Sequence, residues 1–249
     1  MTKGTHKHPA GEVVKWRLTD LLRLPGLAVF GTLAFILCFI FNRTTVSGKH
    51  NLPHGTNVII ACRHQSLIDS FPVSLATMRL LDLFRPWILP WHTADRSNYM
   101  GNWLAKIWGW FMKILPISPT RVDPVNLRRM VTVTKHSRLF VFPGGTRERP
   151  GRPLKPRVGI GHVAVETGAT IVPVWISGMD KVLPVGKSWP NFGQRVRIIF
   201  GPPVNYQDLL DELDENGSRA TKRAVVQRVA EAIYSLSEDP ASNPEIAAA

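Results

Sequence analysis

The sequence predicts an α/β fold, a mixed and mainly parallel sheet covered by helices, preceded by an N-terminal hydrophobic helical membrane anchor. Three observations predict it. Short runs of β-branched and aromatic residues alternate with segments of helix length, an uncharged apolar run lies near the amino terminus, and neither an internal repeat nor a Gly/Ser linker divides the remainder. The 249 residues are enough for one large domain with a core.

The anchor is predicted from the uncharged run Leu24–Phe41, whose 18 residues lie at the lower limit for crossing a bilayer. Its sequence allows a spanning helix, a hairpin bent at Pro25 and Gly26 that enters one leaflet, or a buried core helix. A cleaved signal peptide is disfavoured because no small-residue cleavage site follows. We therefore assign residues 1–43 to a basic tail and a membrane-anchoring helix or helical hairpin.

A second apolar segment, residues 102–113, contains three tryptophans and two lysines, Lys106 and Lys113. The lysines are seven residues apart and would share one face of a helix. This pattern is typical of an interfacial helix, and equally of an aromatic stripe packed on the sheet.

Residues 44–238 are predicted to form the α/β domain, and residues 239–249 a frayed tail. Asp123 is a plausible N-cap for one of its helices, and Gly168 a suitable C-cap for another. We expect strands at 58–61, 87–89, 139–142, 171–176 and 196–200, and helices at about 66–80, 124–135, 159–167 and 219–236.

The charge balance indicates an anionic partner. The chain has 31 Lys and Arg against 18 Asp and Glu, a formal net charge of +13. Such a field attracts nucleic acid, anionic lipid headgroups or phosphorylated substrates. No nucleic-acid-binding motif accompanies it, so we expect no nucleic acid. Cys38 and Cys62 have no metal-binding or disulfide spacing, which predicts no metal and a reducing, cytosol-facing location.

The catalytic candidates are His64 and Asp69, which follow the first predicted strand. A carboxylate five residues after a histidine, across a turn, can accept from the imidazole Nδ1–H and leave Nε2 as a general base. The substrate's own hydroxyl would then be the nucleophile, without an acyl-enzyme. The alternative is a loop histidine with Asp69 as a helix-terminal charge. Cys62 is expected to pack, and Ser66 to cap the following helix.

A phosphate-binding candidate lies at 142–147, FPGGTR, where a strand ends in a glycine turn. Backbone N–H groups can approach an oxyanion there, and Arg147 can bind a phosphate through two hydrogen bonds. Ten basic residues surround this turn, with a solvated basic face as the alternative for most of them: Arg121, Arg128, Arg129, Lys135, Arg138, Arg147, Arg149, Arg152, Lys155 and Arg157.

His64-x4-Asp69, FPGGTR at 142–147 and IVPV at 171–174 together resemble the glycerolipid acyltransferase family, which includes the 1-acylglycerol-3-phosphate acyltransferases. The resemblance covers about residues 44–205. It implies an α/β domain on the cytosolic face of a membrane, with acyl-CoA or acyl carrier protein as co-substrate and no other cofactor. It assigns catalysis to His64 and Asp69, and binding of the acceptor phosphate to Gly145, Thr146, Arg147 and, in a looser match, Arg121.

Two positions depart from the family pattern. Arg63 stands where members usually have Asn, and Gly144 where they usually have Glu. The Gly144 departure resembles branches that acylate neutral acceptors such as diacylglycerol, whereas the basic cluster favours a phosphorylated acceptor. Lysophosphatidic acid is therefore the expected acceptor, with anionic lipids of the bilayer as partners. A neutral acceptor and a non-catalytic lipid-binding protein are the alternatives.

Overall fold

The computed structural model of the chain describes residues 18–79, 82, 84–97, 103–118, 123–148, 156–211 and 218–237. Within these ranges seven strands form one sheet in the order β1-β7-β6-β2-β5-β3-β4. Their bounds are β1 Arg43–Ser47, β2 Val58–Cys62, β3 Trp91–Asp95, β4 Ile114–Ile117, β5 Arg138–Val141, β6 Thr170–Ser177 and β7 Arg195–Phe200.

The strands β6, β2, β5, β3 and β4 are parallel to one another. β7 runs antiparallel to β6, and β1 pairs in parallel with β7. The sheet is therefore mixed and mainly parallel, as predicted. Because the carboxyl ends of parallel strands share one edge, the segments that follow β2, β5 and β3 meet there.

Residues 18–22 are helical. The further α-helices of more than three residues in the described ranges are α1 (Leu24–Phe35), α2 (Ser70–Thr77), α3 (Trp103–Phe111), α4 (Pro124–His136), α5 (Gly159–Thr167), α6 (Met179–Val182), α7 (Gln207–Asp211) and α8 (Ser218–Tyr234). A π-helical turn, Ile36–Ile40, continues α1. The two predicted caps are confirmed. The Asp123 carboxylate accepts from the Val125 backbone N–H at 2.8 Å, and Gly168 ends α5 in the left-handed conformation with φ 61°.

Alternate residues of the central strands bury two cores, one on each face of the sheet. Ile59 and Leu139 pack with residues of α4, α5 and α8. Ile60 and Phe140 pack on the opposite face with residues of α2 and α6. Strands buried on both faces explain why β2, β5 and β6 are continuous apolar runs in the sequence.

Four of the five predicted strands are confirmed, but the one at 87–89 is wrong. That segment lies in a 3-10 turn, Pro86–Ile88, and the strand is β3. The turn is held by the Ser137 hydroxyl, which donates to the Trp87 carbonyl at 2.6 Å, and Pro90 follows it without an N–H to donate to a neighbouring strand. Both β1 and β4 lie outside the predicted strands.

The apolar amino-terminal segment packs on the α/β domain through α2 and α3. Gly26 allows the close contact with α3, because a Cβ there would lie 2.2 Å from the Phe111 ring. The Phe30 and Trp108 rings meet edge to face with centroids 6.3 Å apart. Among the described residues, no helix combines the length and the hydrophobicity that a membrane crossing requires.

The prediction that Lys106 and Lys113 share a helix face is wrong, because α3 ends before Lys113. Lys113 has φ 53° and is buried, and its Nζ donates to the Asp20 carboxylate at 3.0 Å and to the Pro86 carbonyl at 2.9 Å. Burial lowers the pKa of Lys113 to about 8, partly offset by Asp20. This ion pair ties the residues before α1 to the start of β4.

Candidate active site

The segment between β2 and α2 is organised by one buried carboxylate oxygen. Asp69 Oδ2 accepts from His64 Nδ1 at 2.9 Å, from the Gln65 backbone N–H at 2.6 Å and from the Ser66 backbone N–H at 2.7 Å. Because these bonds hold residues 65–69 in a turn, α2 begins at Ser70 and not at the predicted Ser66. The Ser66 hydroxyl does not cap the helix, since it donates to the Leu183 carbonyl.

His64 therefore has a defined tautomer and orientation. A carboxylate only accepts hydrogen bonds, so the proton shared with Asp69 resides on Nδ1 and Nε2 carries a free lone pair. The ring also stacks on Phe142, the residue after β5, with centroids 3.8 Å apart and planes at 15°. The His64 side chain is 15% exposed, so Nε2 belongs to a ring that is fixed yet reachable. The arrangement can remove a proton from a hydroxyl group.

Cys62 is not placed to act as a nucleophile. It is the last residue of β2, it is fully buried, and it packs in the core on the α2 side of the sheet. Burial raises the pKa of its thiol well above the ordinary value, and the Asp69 charge raises it further. The thiol stays protonated near neutral pH, which agrees with the packing role expected from the sequence.

The glycine turn after β5 depends on a residue without a Cβ. Gly145 has φ 67°, its N–H donates to the Phe142 carbonyl at 2.9 Å, and a Cβ on it would lie 2.9 Å from Arg157 Nε. Arg157 holds the turn from the other side: its backbone N–H donates to the Pro143 carbonyl and its Nε to the Gly144 carbonyl.

The predicted phosphate-binding residues Gly145, Thr146 and Arg147 line the same cavity of about 260 Å³ as His64. Thr146 and Arg147 are exposed to it, and within the ranges the structure describes the Arg147 guanidinium has no ion-pair partner. A cationic side chain beside a general base can hold an anionic substrate. Arg121, the fourth predicted residue, lies outside the described residues.

The basic cluster does not form one surface. Arg138 begins β5, at the edge of the sheet opposite His64, and is buried where its guanidinium donates to the Gly55 and Pro53 carbonyls. Lys135 lies at the same opposite edge, at the end of α4. Of the described cluster members, Arg147 and Arg157 follow β5 at the site. Arg149, Arg152 and Lys155 lie outside the described residues.

An ion pair that sequence reasoning missed joins the two loops of the site. Arg63 donates from Nε and Nη2 to Glu148 Oε2 at 3.2 and 2.9 Å, and its guanidinium lies 3.8 Å over the Trp175 ring. The Glu148 backbone N–H donates to the His64 carbonyl at 2.7 Å. Burial raises the pKa of Glu148, partly offset by Arg63. The only sequence signal is two opposite charges that directly flank His64 and Arg147.

Arg63→Ala is expected to lower the free energy of unfolding by about 2–3 kcal/mol, because it leaves the Glu148 carboxylate half-buried without its cation. We also expect kcat/KM of any reaction that uses His64 as its base to fall roughly tenfold, since the loop carrying Arg147 loses its ion pair with the loop carrying His64. Urea unfolding and initial rates measure both effects. The control is Arg63→Gln with Glu148→Gln, a neutral pair that should regain most of the stability; equal losses in both proteins would contradict this role.

A second, larger cavity of about 620 Å³ adjoins the site, lined almost entirely by apolar side chains of α1, α2 and the segment before β3. Phe71 and His92 line both cavities, so the two cavities adjoin at these side chains. The His92 ring packs between Phe71 and Phe140. Burial lowers the pKa of His92 to about 3, helped by the Lys113 charge, so the junction of the cavities is uncharged at neutral pH. The arrangement suits an extended apolar group that ends beside His64.

The sequence of this chain is similar to those of known acyltransferases. A family model described as Acyltransferase matches residues 43–177. A chloroplastic 1-acyl-sn-glycerol-3-phosphate acyltransferase of Brassica napus is 29% identical over 178 residues, 69% of this chain and 48% of the relative. The chain thus spans about half the length of that relative. A 1-acyl-sn-glycerol-3-phosphate acyltransferase of Bacillus subtilis is 24% identical over 193 residues, 75% of this chain and 86% of the relative.

Among solved structures, the 1-acyl-sn-glycerophosphate (LPA) acyltransferase of Thermotoga maritima has a similar fold. The TM-score is 0.59 at 22% sequence identity, with 92% of this chain and 90% of that chain covered. At this level of identity the likeness supports the mixed sheet flanked by helices, and His64 and its neighbours must be argued from their own geometry.

Proposed function

The chain belongs to the acyltransferase family, and on that premise we propose that it moves a fatty acyl group from an acyl-CoA or acyl carrier protein thioester to the hydroxyl of lysophosphatidic acid, giving phosphatidic acid. The observation that carries this proposal is the hydrogen bond from His64 Nδ1 to buried Asp69 in a cavity that Arg147 also lines. A general base and a cation at one site match an acceptor with a hydroxyl and a phosphate.

In the proposed reaction His64 Nε2 takes the proton of the acceptor hydroxyl as its oxygen attacks the thioester carbonyl carbon. The tetrahedral intermediate collapses by breaking the C–S bond, and the leaving thiolate takes the proton back from the imidazolium. Asp69 stabilises that imidazolium through Nδ1–H. No covalent acyl-enzyme forms, because the acceptor's own oxygen is the nucleophile.

The two adjoining cavities support the placement of both substrates. The acyl chain of the donor fits the apolar cavity, and its carbonyl then passes Phe71 and His92 to reach His64. The acceptor phosphate lies on Arg147 and on the backbone of Gly145 and Thr146. The proposed reaction uses neither a metal ion nor another cofactor.

We further propose that the protein acts on the cytosolic face of a membrane, with α1 lying in the plane of the bilayer surface. The support is the apolar surface that α1 and α3 leave uncovered, since Val29 and Leu33 are each 58% exposed and Trp103 is 67% exposed. Flotation with vesicles containing phosphatidylglycerol tests this association. Protein that stays at the bottom of the gradient at low salt would contradict it.

Arg147→Ala tests the acceptor. Because the guanidinium is assigned to the phosphate, the variant should raise KM for lysophosphatidic acid about 10- to 100-fold and change kcat much less. Initial rates at a fixed acyl-thioester concentration give both constants. Arg129→Ala, an exposed arginine of α4 outside this cavity, is the matched control. Equal KM values for wild type and Arg147→Ala would contradict the assignment.

A neutral lipid acceptor such as diacylglycerol is the second candidate, favoured by Gly144 in the position where the family usually has Glu. On that alternative Arg147→Ala leaves the KM for the true acceptor unchanged. A non-catalytic lipid-binding role is the third, and any turnover by the wild-type protein that depends on His64 removes it.

A further inference from the structure

The loop that joins α6 to β7, residues 183–193, exposes large apolar side chains. Trp189 is 85% exposed, Val185 65% and Phe192 60%. The loop lies at the same edge of the sheet as His64, because β6 ends there and the antiparallel β7 begins there. Clustered apolar side chains left in water mark a surface that meets a partner.

Backbone contacts hold this loop in one shape. The Asn191 N–H donates to the Val182 carbonyl at 2.7 Å, and the Asn191 side-chain amide to the Lys181 carbonyl at 2.8 Å. The Gly193 N–H donates to the Phe41 carbonyl at 2.8 Å. Trp189 and Phe192 are therefore presented on a fixed support.

The loop continues the apolar surface of the amino-terminal segment. The rings of Phe192 and Phe41 contact each other with centroids 5.0 Å apart. Ile40 and Phe41, at the end of the π-helical turn after α1, are 63% and 53% exposed. One apolar surface thus runs from the end of α1 to Phe192, on the loop that also carries Trp189.

The charged residues from Lys181 to Gln207 are all basic, and they follow one exposed carboxylate, that of Asp180. Lys181, Lys187 and Arg195 are exposed, and the sequence contains no Asp or Glu from Lys181 to Gln207. Tryptophan and phenylalanine flanked by lysine and arginine are the side chains that bind the headgroup region of anionic bilayers. A basic rim also opposes pairing of two copies of this surface, because the like charges would face each other.

We propose that residues 183–193, together with Ile40 and Phe41, form a second membrane contact that inserts Trp189 and Phe192 into the headgroup region of an anionic phospholipid bilayer. The proposal rests on the proposed function, in which α1 provides the first contact. The Ser66 hydroxyl donates to the Leu183 carbonyl at 2.9 Å, so the loop begins directly against the turn that holds His64. Insertion at this edge sets the site facing the lipid surface from which a lipid acceptor enters.

Depth of insertion is the most direct test. An environment-sensitive fluorophore is attached at Ser188→Cys in the full-length chain; Cys38 and Cys62 are buried and do not compete for the label. We expect a blue shift on adding vesicles of phosphatidylcholine with phosphatidylglycerol. The emission of a control label at Gln227→Cys, an exposed position of α8 on the other face of the sheet, should not shift. Vesicle binding without a shift at 188 would overturn the proposal.

Trp189→Ser should lower the vesicle partition coefficient about tenfold at every salt concentration, because the loss is of apolar contact. Lys187→Glu should lower it roughly tenfold on anionic vesicles at low salt and leave binding to pure phosphatidylcholine unchanged. Val125→Ser, a change of an exposed apolar side chain on α4, which packs on the other face of the sheet, is the control and should bind as wild type.

Activity separates this proposal from the proposed function. Trp189→Ser should keep the wild-type kcat with a short-chain, monomeric acceptor and lose rate only when the acceptor is presented in a bilayer. Wild-type protein that fails to bind any vesicle would refute the membrane association as a whole. If the wild-type protein binds vesicles and Trp189→Ser binds them equally well, only the proposed membrane contact of the loop would be refuted. A Trp189→Ser protein that loses self-association in sedimentation and keeps vesicle binding would show that a second copy is the partner.

Discussion

His64→Ala is expected to lower kcat/KM for acyl transfer by about 10³- to 10⁴-fold, since it removes the group that takes the proton of the attacking hydroxyl. The His64 Nδ1 bond to Asp69 fixes the ring, and His92, the other imidazole that lines this cavity, is a much weaker base because burial lowers its pKa to about 3. Product formed from labelled acyl-CoA and lysophosphatidic acid measures the loss.

The loss of activity in His64→Ala is informative only if the variant still folds. The His64 side chain is partly exposed and stacks on Phe142 alone, so its removal should leave the far-UV circular dichroism and the vesicle binding unchanged. His162→Ala, on α5 away from both cavities, is the matched control and should retain full activity. Acyl transfer at the wild-type rate in His64→Ala would contradict the mechanism.

Asp69→Asn is expected to lower kcat about 10³-fold with little change in structure. All three hydrogen bonds to this side chain go to Oδ2, whereas Oδ1 is buried without a partner in the described part of the chain. An asparagine can keep its carbonyl oxygen in the Oδ2 position and so preserve the turn. The variant therefore removes the negative charge that stabilises the His64 imidazolium and leaves the geometry in place.

Asp69→Ala provides the contrast, because it removes the acceptor of the Gln65 and Ser66 N–H groups as well. We expect it to lower the free energy of unfolding by about 2–3 kcal/mol. Asp69→Asn should lose less, because its carbonyl oxygen still accepts from both N–H groups, although its buried amide NH2 has no acceptor. Single-turnover rates measure the effect of each Asp69 variant on the reaction, and urea unfolding measures its effect on stability. An Asp69→Asn protein with the wild-type kcat would show that the charge of the carboxylate has no part in the reaction.

The elements that could be predicted from the sequence are those whose signal is local. The apolar runs of β2, β5 and β6 predict buried strands, the β-branched run of β7 predicts a strand, and Asp123 and Gly168 predict helix ends. β4 was missed because Ile114–Ile117 contains a proline and directly follows an apolar helix, so no change of pattern marks its start. The segment 87–89 looked like a strand by composition, but a side-chain contact from Ser137 holds it as a turn.

In the candidate site, too, local signals could be predicted from the sequence and contacts between distant residues could not. The spacing of His64 and Asp69 allows their hydrogen bond, since only a turn separates them, but the same spacing also allows a loop histidine with a helix-terminal carboxylate. The Arg63–Glu148 ion pair joins residues 85 positions apart and depends on the parallel pairing of β2 with β5. The burial of Arg138 likewise follows from its place at the start of β5, where the Gly55 and Pro53 carbonyls accept its N–H groups. Charge counted along the chain cannot distinguish such a residue from Arg147.

The most direct test of the central claim is mass-spectrometric identification of the product that purified wild-type protein makes. The protein is given an acyl-CoA or acyl carrier protein donor with a panel of lysolipids, diacylglycerol and simple alcohols. We predict phosphatidic acid from lysophosphatidic acid, with one acyl group transferred per thiol released. Absence of any acylated product across the panel, or release of free fatty acid alone, would contradict the assignment of His64 and Asp69 to acyl transfer.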